Sequence, residues 1–339
     1  MHTEKLVSII VVNWNGKEHL KDCFTSLVKQ TYVPLELLMV DNASVDGSVD
    51  YIRERFPLVG VVVNTENTGF GPAVNRGVEH AQGDYVLFLN NDLYLDERCV
   101  EKMVAALEGE EVGAVVPKIL YFQDKNRINS FGNTINYLGL ACPRYIDEED
   151  SEQRKVEETA CGGIFLLKRE LFKRVGGFDR DFFMYHEDHD LSWRIRLVGK
   201  KLLVIPEAVM YHKYHFSKSP KKFYYSEKNR LQLLLKNYQV KTLLLIFPAL
   251  MLVELAEFCF ALTSGWFMLK VKSYLEIVWL LPSLLKKRRI TQERRRISDR
   301  EITRIFVGPL RIGGLPHPLL DQGLSPVVHF YWKLIRNGI

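Results

Sequence analysis

Hydrophobic and polar positions alternate in blocks along the first hundred residues. Four continuous apolar runs of strand length stand at Leu6–Val12, Leu35–Val40, Val59–Val63 and Tyr85–Leu89. Runs without a polar face suit strands covered on both sides, as in a parallel sheet. Between them lie amphipathic, helix-like stretches at Glu18–Lys29, Ser48–Arg55 and Pro72–Ala81. Strand alternating with helix predicts an α/β doubly wound domain. In such domains ligands bind beyond the carboxyl ends of the strands. Asn13, Asp41, Asn64 and Asn90–Asp92 stand where the apolar runs stop.

The stretch from Val112 to His215 has shorter runs and turn signals at Gly162-Gly163 and Gly176-Gly177, and is expected to complete the sheet on the acceptor side. Asp147–Glu158, with seven carboxylates, reads as a mobile surface loop, with a lid as the functional alternative. From Thr242 the pattern changes. Thr242–Thr263 and Gly265–Leu285 are apolar over about the length of a membrane span, roughly 20 residues. Glu254, Glu257, Lys270, Lys272 and Glu276 make each a poor span. Surface-lying or shallowly inserted helices are expected, with a two-span hairpin or buried helices of a soluble domain as alternatives. Lys236 and Lys241 precede the apolar region and Lys286–Arg289 follow it, which puts both flanks on the cytoplasmic side. The expected division is 1–225 for the α/β domain, in halves 1–110 and 111–225, and 226–339 for a helical membrane-associating region.

The chain has 339 residues, 47% of them hydrophobic, enough for a real core, and a net charge of +5. Between Lys286 and Arg304 nine Lys/Arg face three Asp/Glu, so the basic character is one local patch. That excludes nucleic acid as the general partner and favours attraction to anionic lipid near Arg294–Arg296. The five cysteines form no CxxC pair, which suits free thiols in a reducing cytosol. The N-terminus has neither the long apolar core nor the cleavage site of a signal peptide.

Four clusters could carry chemistry. Asp41, in Asp41-Asn-Ala-Ser44, can accept hydrogen bonds from a base or ribose, while Asp46 and Ser48 read as turn and cap residues. Asn67-Thr-Gly-Phe-Gly-Pro-Ala-Val-Asn75 is a small-residue loop leading into a helix whose amides could meet a phosphate. It is not the dinucleotide fingerprint, because the third glycine position is Val74, which argues against a nucleotide-dependent oxidoreductase. Asn90-Asn91-Asp92 could hold Mg²⁺ or Mn²⁺ on a diphosphate, or Asp92 could be a helix cap. In His186-Glu187-Asp188-His189-Asp190, Asp188 could be a general base; the acids could equally complement a helix dipole, or Glu187 and Asp190 pair with Arg194. Trp193 is a sugar-stacking face or a core aromatic, and His212 a metal ligand or a surface histidine. The HxxH pairs His186/His189 and His212/His215 lack the context of a zinc site.

Together these clusters resemble the family 2 inverting glycosyltransferases with the GT-A fold, rhamnosyltransferase-like branch. The likeness spans Val7 to His215. It rests on Ser8-Ile-Ile-Val-Val-Asn-Trp-Asn-Gly16, Val40-Asp-Asn-Ala-Ser-Val-Asp-Gly-Ser48, Asn67–Asn75, Leu89-Asn-Asn-Asp92, Cys161-Gly-Gly-Ile-Phe-Leu-Leu-Lys-Arg169 and Phe182–Arg194, in the family's order. The resemblance implies a GT-A-type, mostly parallel sheet followed by a membrane-associated helical region, with 1–110 as the nucleotide-sugar-binding half and 111–225 as the acceptor-binding half of a catalytic domain. It implies Asn13, Asp41, Asn67, Asn75 and Asn91 as nucleotide-sugar ligands, Asp92 and His212 as ligands of Mg²⁺ or Mn²⁺, and Asp188 as the base. Trp193, Glu187 and Arg194 would meet the acceptor. Asn90 stands where the family has an aspartate, which leaves metal binding more dependent on His212 and the diphosphate. The implied partners are a nucleotide-sugar donor (dTDP-rhamnose or a UDP-sugar), a lipid-linked or cell-envelope glycan and the cytoplasmic membrane face. Transfer to a polyprenyl phosphate and a non-catalytic nucleotide-sugar-binding scaffold are the alternatives.

Overall fold

The computed structural model describes residues 4–151, 153–213, 220–310 and 319–339. Chain order opens β1 (Val7–Asn13), α1 (Lys17–Val28), β2 (Leu35–Asp41), α2 (Ser48–Arg55), β3 (Gly60–Val63), α3 (Phe70–His80), β4 (Tyr85–Asn90), β5 (Leu93–Leu95) and α4 (Cys99–Leu107). It continues with β6 (Val112–Tyr121), β7 (Ile128–Ser130), β8 (Asn133–Ile135), β9 (Ala141–Pro143), β10 (Glu157–Glu158), β11 (Phe165–Lys168), α5 (Arg169–Val175), α6 (Glu187–Leu197) and β12 (Lys201–His212). The helices α7 (Pro220–Asn237), α8 (Val240–Thr263), α9 (Phe267–Arg294), α10 (Asp299–Ile302) and α11 (Ser325–Ile335) close the chain.

The main sheet runs β10-β12-β6-β11-β4-β1-β2-β3. Strands β3, β2, β1 and β4 are mutually parallel, as are β6 and β12, while β11 is antiparallel to both β4 and β6. All seven residues of β1 are buried, as a strand flanked by helices on both faces requires. One layer packs Phe24, Leu27 and Met103 against Ile9 and Leu87; the other packs Val74, Phe172 and Phe178 against Ile10 and Phe88. This is the mostly parallel α/β sheet, with a helical C-terminal region, that the sequence pattern predicts.

Strand β12 runs through Pro206 to His212, with an irregular register between Ile205 and Val209. Two expectations change. Asp147–Glu158 is pinned rather than loose: β10 pairs with β12, Glu157 binds Arg144 at 2.8 Å and Asp150 binds Lys118 at 2.5 Å. The expected division at residue 225 falls inside α7, and a third core joins Tyr137, Cys161 and Trp193 to Leu233, Ile246 and Trp332 across it.

Of the charges that count against α8 and α9 as spans, Glu254, Glu257 and Lys270 turn inward, while Lys272 is exposed. Glu254 and Glu257 of α8 and Lys270 of α9 gather around Glu227 and Arg230 of α7, with Lys270–Glu227 at 2.6 Å and Arg230–Glu257 at 3.1 Å. Arg230 also binds Glu254 and donates to the Leu138 carbonyl. Low dielectric makes each of these pairs strong and any unpaired member costly. Among the described residues α8 alone is long and apolar enough to cross a membrane, with a mean hydropathy of 2.2 over its best window, of which 22% is buried. Lys236, expected as a flanking positive charge, is instead buried, paired with Asp179 and Asp190 at 2.6 and 2.7 Å.

Truncating one member of the cluster leaves the rest uncompensated. Arg230→Ala is expected to lower stability by about 3–5 kcal/mol, read from the midpoint shift in urea unfolding; a shift below 1 kcal/mol contradicts the account.

Candidate active site

Parallel pairing sets the site. In register, Asn13 of β1 lies opposite Asp41 of β2, so both ladders deliver a polar side chain to the same edge. Asn13 Nδ2 donates to Asp41 Oδ1 at 2.8 Å and to Ser44 Oγ at 3.1 Å. Asp41 Oδ2 accepts from the Ser44 amide at 2.8 Å, and Ser44 Oγ from the Asn15 amide. From β4's end, Asn91 Nδ2 donates to Asn13 Oδ1 at 2.6 Å. Asn15 and Ala43 take left-handed backbone (φ 49° and 60°), and Asn15 Oδ1 accepts from the Val45 amide. The two loops are therefore stapled to each other, and Trp14, 56% exposed, projects beside them.

A second amide network lies next to the first. Asn42 donates to the Gly69 carbonyl at 3.1 Å, Asn64 donates to Asn42 Oδ1 at 2.6 Å, and Arg76 donates to Asn64 Oδ1 at 2.5 Å. Asn67 Oδ1 caps the Gly69 amide at 3.0 Å, which shapes the turn into α3. Gly69 has φ +86°, and a Cβ there would overlap the Phe183 carbonyl. This contact carries the segment before α6 over the loop.

Asp92 and His212 come together across the sheet: β5 pairs with the end of β12, and His212 Nε2 lies 3.2 Å from Asp92 Oδ2. His212 Nδ1 lies 3.0 Å from Asn129 Oδ1, which orients the ring. Asp92 Oδ1 is buried with no hydrogen-bond partner. An orphaned carboxylate oxygen beside an imidazole is a donor set that fits a divalent cation.

Asp188 lies in the first turn of α6, and its Oδ1 accepts from the His189 amide at 2.9 Å. Its Oδ2 lies 3.8 Å from where a Cβ on Gly163 would stand. Gly163 lies two residues before β11, whose Phe165 pairs with Phe88 of β4. The carboxylate thus lies beside the segment that leads into β11, the strand next to β4. Left-handed Tyr185 and His186 (φ 64° and 65°) turn the chain into the helix. His186 and His189 contact each other through their Nδ1 atoms at 2.9 Å. Burial, then His189, holds His186 well below the usual imidazole range. Burial, then the Asp188 charge, pushes the Glu187 carboxyl up to about 8.

Several expected ligands have other work. Trp193 is fully buried, edge-on to Tyr238 and Phe306 at 4.8 and 5.0 Å, so it is a core aromatic and not a sugar-stacking face. Arg194 is likewise buried, tied to Asp190 at 2.7 Å and the Val175 carbonyl at 2.7 Å, out of reach of an acceptor. Asn75 spends its amide on Phe178, donating to the carbonyl and accepting from the backbone N–H, both at 2.8 Å. It braces α3 against the Gly176–Phe178 turn, rather than lining the strand-end pocket. Glu187 is half-buried, with Oε2 cut off from solvent and unpartnered. His215 lies outside the described residues. Trp14, Ser44 and Arg76 also belong to these strand-end networks and loops, and the first two are marked in the sequence by their place just past a strand end.

The fold and this edge define a class, a glycosyltransferase with a GT-A-type sheet. Solved structures agree on the fold: GalNAc-T7 with UDP, GalNAc and Mn²⁺ superposes with a TM-score of 0.58 at 18% identity, covering 74% of this chain and 51% of that one. The mannosyltransferase PcManGT from Pyrobaculum calidifontis, in complex with GDP-Man and Mn²⁺, superposes with a TM-score of 0.53 at 18% identity over 86% of each chain. Residues 8–176 match the glycosyl transferase family 2 model, and residues 144–217 match the model described as N-terminal domain of galactosyltransferase. The chain belongs to glycosyl transferase family 2. The N-acetylglucosaminyl-diphospho-decaprenol L-rhamnosyltransferase of Mycobacterium tuberculosis is 28% identical over 236 residues, 62% of this chain and 77% of the relative.

Two outcomes follow. A Cβ at residue 16 would overlap Asn91 Nδ2. Gly16→Ala is therefore expected to displace Asn91 and weaken nucleotide-sugar binding about tenfold, the cost of roughly one hydrogen bond, with the unfolding midpoint little changed; calorimetry with the donor reads it. Glu187 has a folded pKa above its unfolded value, so its contribution to stability is complete below about pH 4.5 and is lost as pH rises through about 8. Glu187→Gln should flatten the fall in stability over that window; an unchanged pH profile of unfolding would contradict the assignment.

Proposed function

We propose that this enzyme moves a sugar, with inversion, from a nucleotide-sugar donor to a hydroxyl of a lipid-linked or cell-envelope glycan at the cytoplasmic face of a membrane. The observation that supports the reading is Asp188 in the first turn of α6 beside Gly163, which precedes β11, the neighbour of the β4 strand that leads to Asn91 and Asp92. The Asn13–Asp41–Ser44 cluster would hold the base and ribose, with Asn91 fixing Asn13 from below and Asn67 and Gly69 shaping the phosphate side. Exposed Trp14 would give the base a flat apolar face. Asp92 and His212 would hold Mg²⁺ or Mn²⁺, which when bound offsets charge on the departing nucleoside diphosphate. Asp188 takes the proton of the acceptor hydroxyl as its oxygen attacks the anomeric carbon, on the face opposite the diphosphate. His186, held low by burial and by His189, and Glu187, pushed up by burial and by the Asp188 charge, flank the carboxylate that takes that proton. dTDP-rhamnose is the favoured donor and a UDP-sugar the next, because the mycobacterial relative is named for rhamnosyl transfer to a lipid diphosphate.

Asp188→Asn is expected to keep donor binding and lose about 10²–10⁴-fold in turnover, measured with a panel of nucleotide sugars and a lipid-linked acceptor. Near-normal turnover overturns the assignment. A small loss confined to a polyprenyl-phosphate acceptor, already ionised, would shift the acceptor class instead.

A further inference from the structure

We infer that the outer surface of the α8–α9 hairpin seats in one leaflet of an anionic bilayer, lying along the membrane and not crossing it. The inference deepens the proposal above and rests on its reading that the acceptor is presented at a membrane.

Each helix has two sides of opposite character. The inward side of α8 carries Ile246, Ala249 and Val253 with the ion-paired Glu254, and that of α9 carries Ser273 and Ile277 with Lys270. The outward side of α8 carries Leu244, Phe247, Met251 and Leu255 at the three- and four-residue spacing of a helical stripe, 71%, 54%, 43% and 61% exposed. On α9, Leu275, Val278, Trp279 and Leu285 are turned out in the same way, with Trp279 79% exposed. Single exposed apolar residues are ordinary, but continuous stripes on two adjacent helices mark a contact surface.

Charge selects the occupant. The hairpin returns on itself at Gly265, so the start of α8 and the end of α9 lie together; Arg288 donates to the Tyr238 carbonyl and Gln292 to that of Lys236. Exposed Lys241, Lys286 and Arg289 therefore share one end of the apolar surface. Apolar stripes with a basic border fit an anionic lipid surface, which takes the side chains into the acyl boundary and the charges among the headgroups. Crossing is opposed by the ionic cluster. To span, α8 would have to carry Glu254 and Glu257 to mid-bilayer or abandon Arg230 and Lys270. Their partner helix α7 is itself fixed to the catalytic domain, by Asn229 donating to the Met184 and Tyr185 carbonyls and by Lys236 on Asp179 and Asp190. The same tie makes membrane seating bear on the catalytic helix, because Asp190 belongs to α6.

The test is flotation of the full chain with vesicles of phosphatidylcholine alone or with about a third phosphatidylglycerol. Wild type should float with the anionic vesicles and leave them on alkaline carbonate treatment. A variant with Phe247→Glu, Leu255→Glu, Val278→Glu and Trp279→Glu should lose roughly tenfold or more of its vesicle binding. A wild-type thermal midpoint and wild-type calorimetric affinity for the donor would show that the variant is folded. Undiminished flotation of that variant, no flotation of wild type, or retention through carbonate each overturns the inference. So does a stable dimer by light scattering that the four substitutions dissociate, because the surface would then belong to a second copy. Flotation does not read turnover, so a failed lipid contact and a failed assignment of Asp188 give different results.

Discussion

The hydrogen bond between Asn13 and Asp41 depends on register before it depends on chemistry. Seven residue pairs of β1 and β2 run in step, the last four buried on both strands, and only that step brings an amide and a carboxylate side by side at the last rung. In a parallel sheet a slip of one residue would turn every side chain to the opposite face, which the two apolar layers forbid. Asn91 then reaches Asn13 from the neighbouring strand, and Ser44 and Asn15 staple the two loops above it. The core thus sets the positions of polar groups that carry none of its apolar burial.

Helix α6 is held by a different kind of force. Asp190 is fully buried between Arg194, Lys236 and Asn237, so α6 is anchored by a carboxylate whose neutralising partners come from its own next turn and from α7. Burial alone would raise such a group's pKa; Arg194 and Lys236 outweigh it and hold it low. Asp179 just upstream shares Lys236 and adds Lys287 of α9. Asp188, the proposed base, is therefore on a helix held by helices of the C-terminal region. A chain cut at the end of the α/β sheet would lose Lys236 and Lys287, leaving buried Asp179 without these cations and Asp190 with Arg194 as its remaining cation.

These ties explain why two regions that look separable along the chain share one core. Tyr137 stacks on Trp332 at 4.6 Å and donates to the Val328 carbonyl, and Trp193 packs on Tyr238 and Phe306. The apolar outer surfaces of α8 and α9 are what remains once the polar side of the hairpin has been used for this docking.

The alternation of apolar runs and helical stretches determined the α/β class, because covered parallel strands need unbroken hydrophobic runs. The polar residues that end those runs marked the edge where Asn13, Asp41, Asn91 and Asp92 gather, since a strand end is a position legible in one dimension. What only the tertiary structure decided is how each side chain spends its hydrogen bonds and which face it turns. Trp193 and Arg194 follow Asp188 by one and a half turns of the same helix, and periodicity alone cannot say that they point into the core. Asn75 is consumed by Phe178, over a hundred residues away in sequence. Glu254, Glu257 and Lys270 read as charges that spoil a membrane helix, but partners on α7 turn them into its fastening. Local pattern records what a residue can do; long-range contacts in a low-dielectric interior determine which of those options is taken.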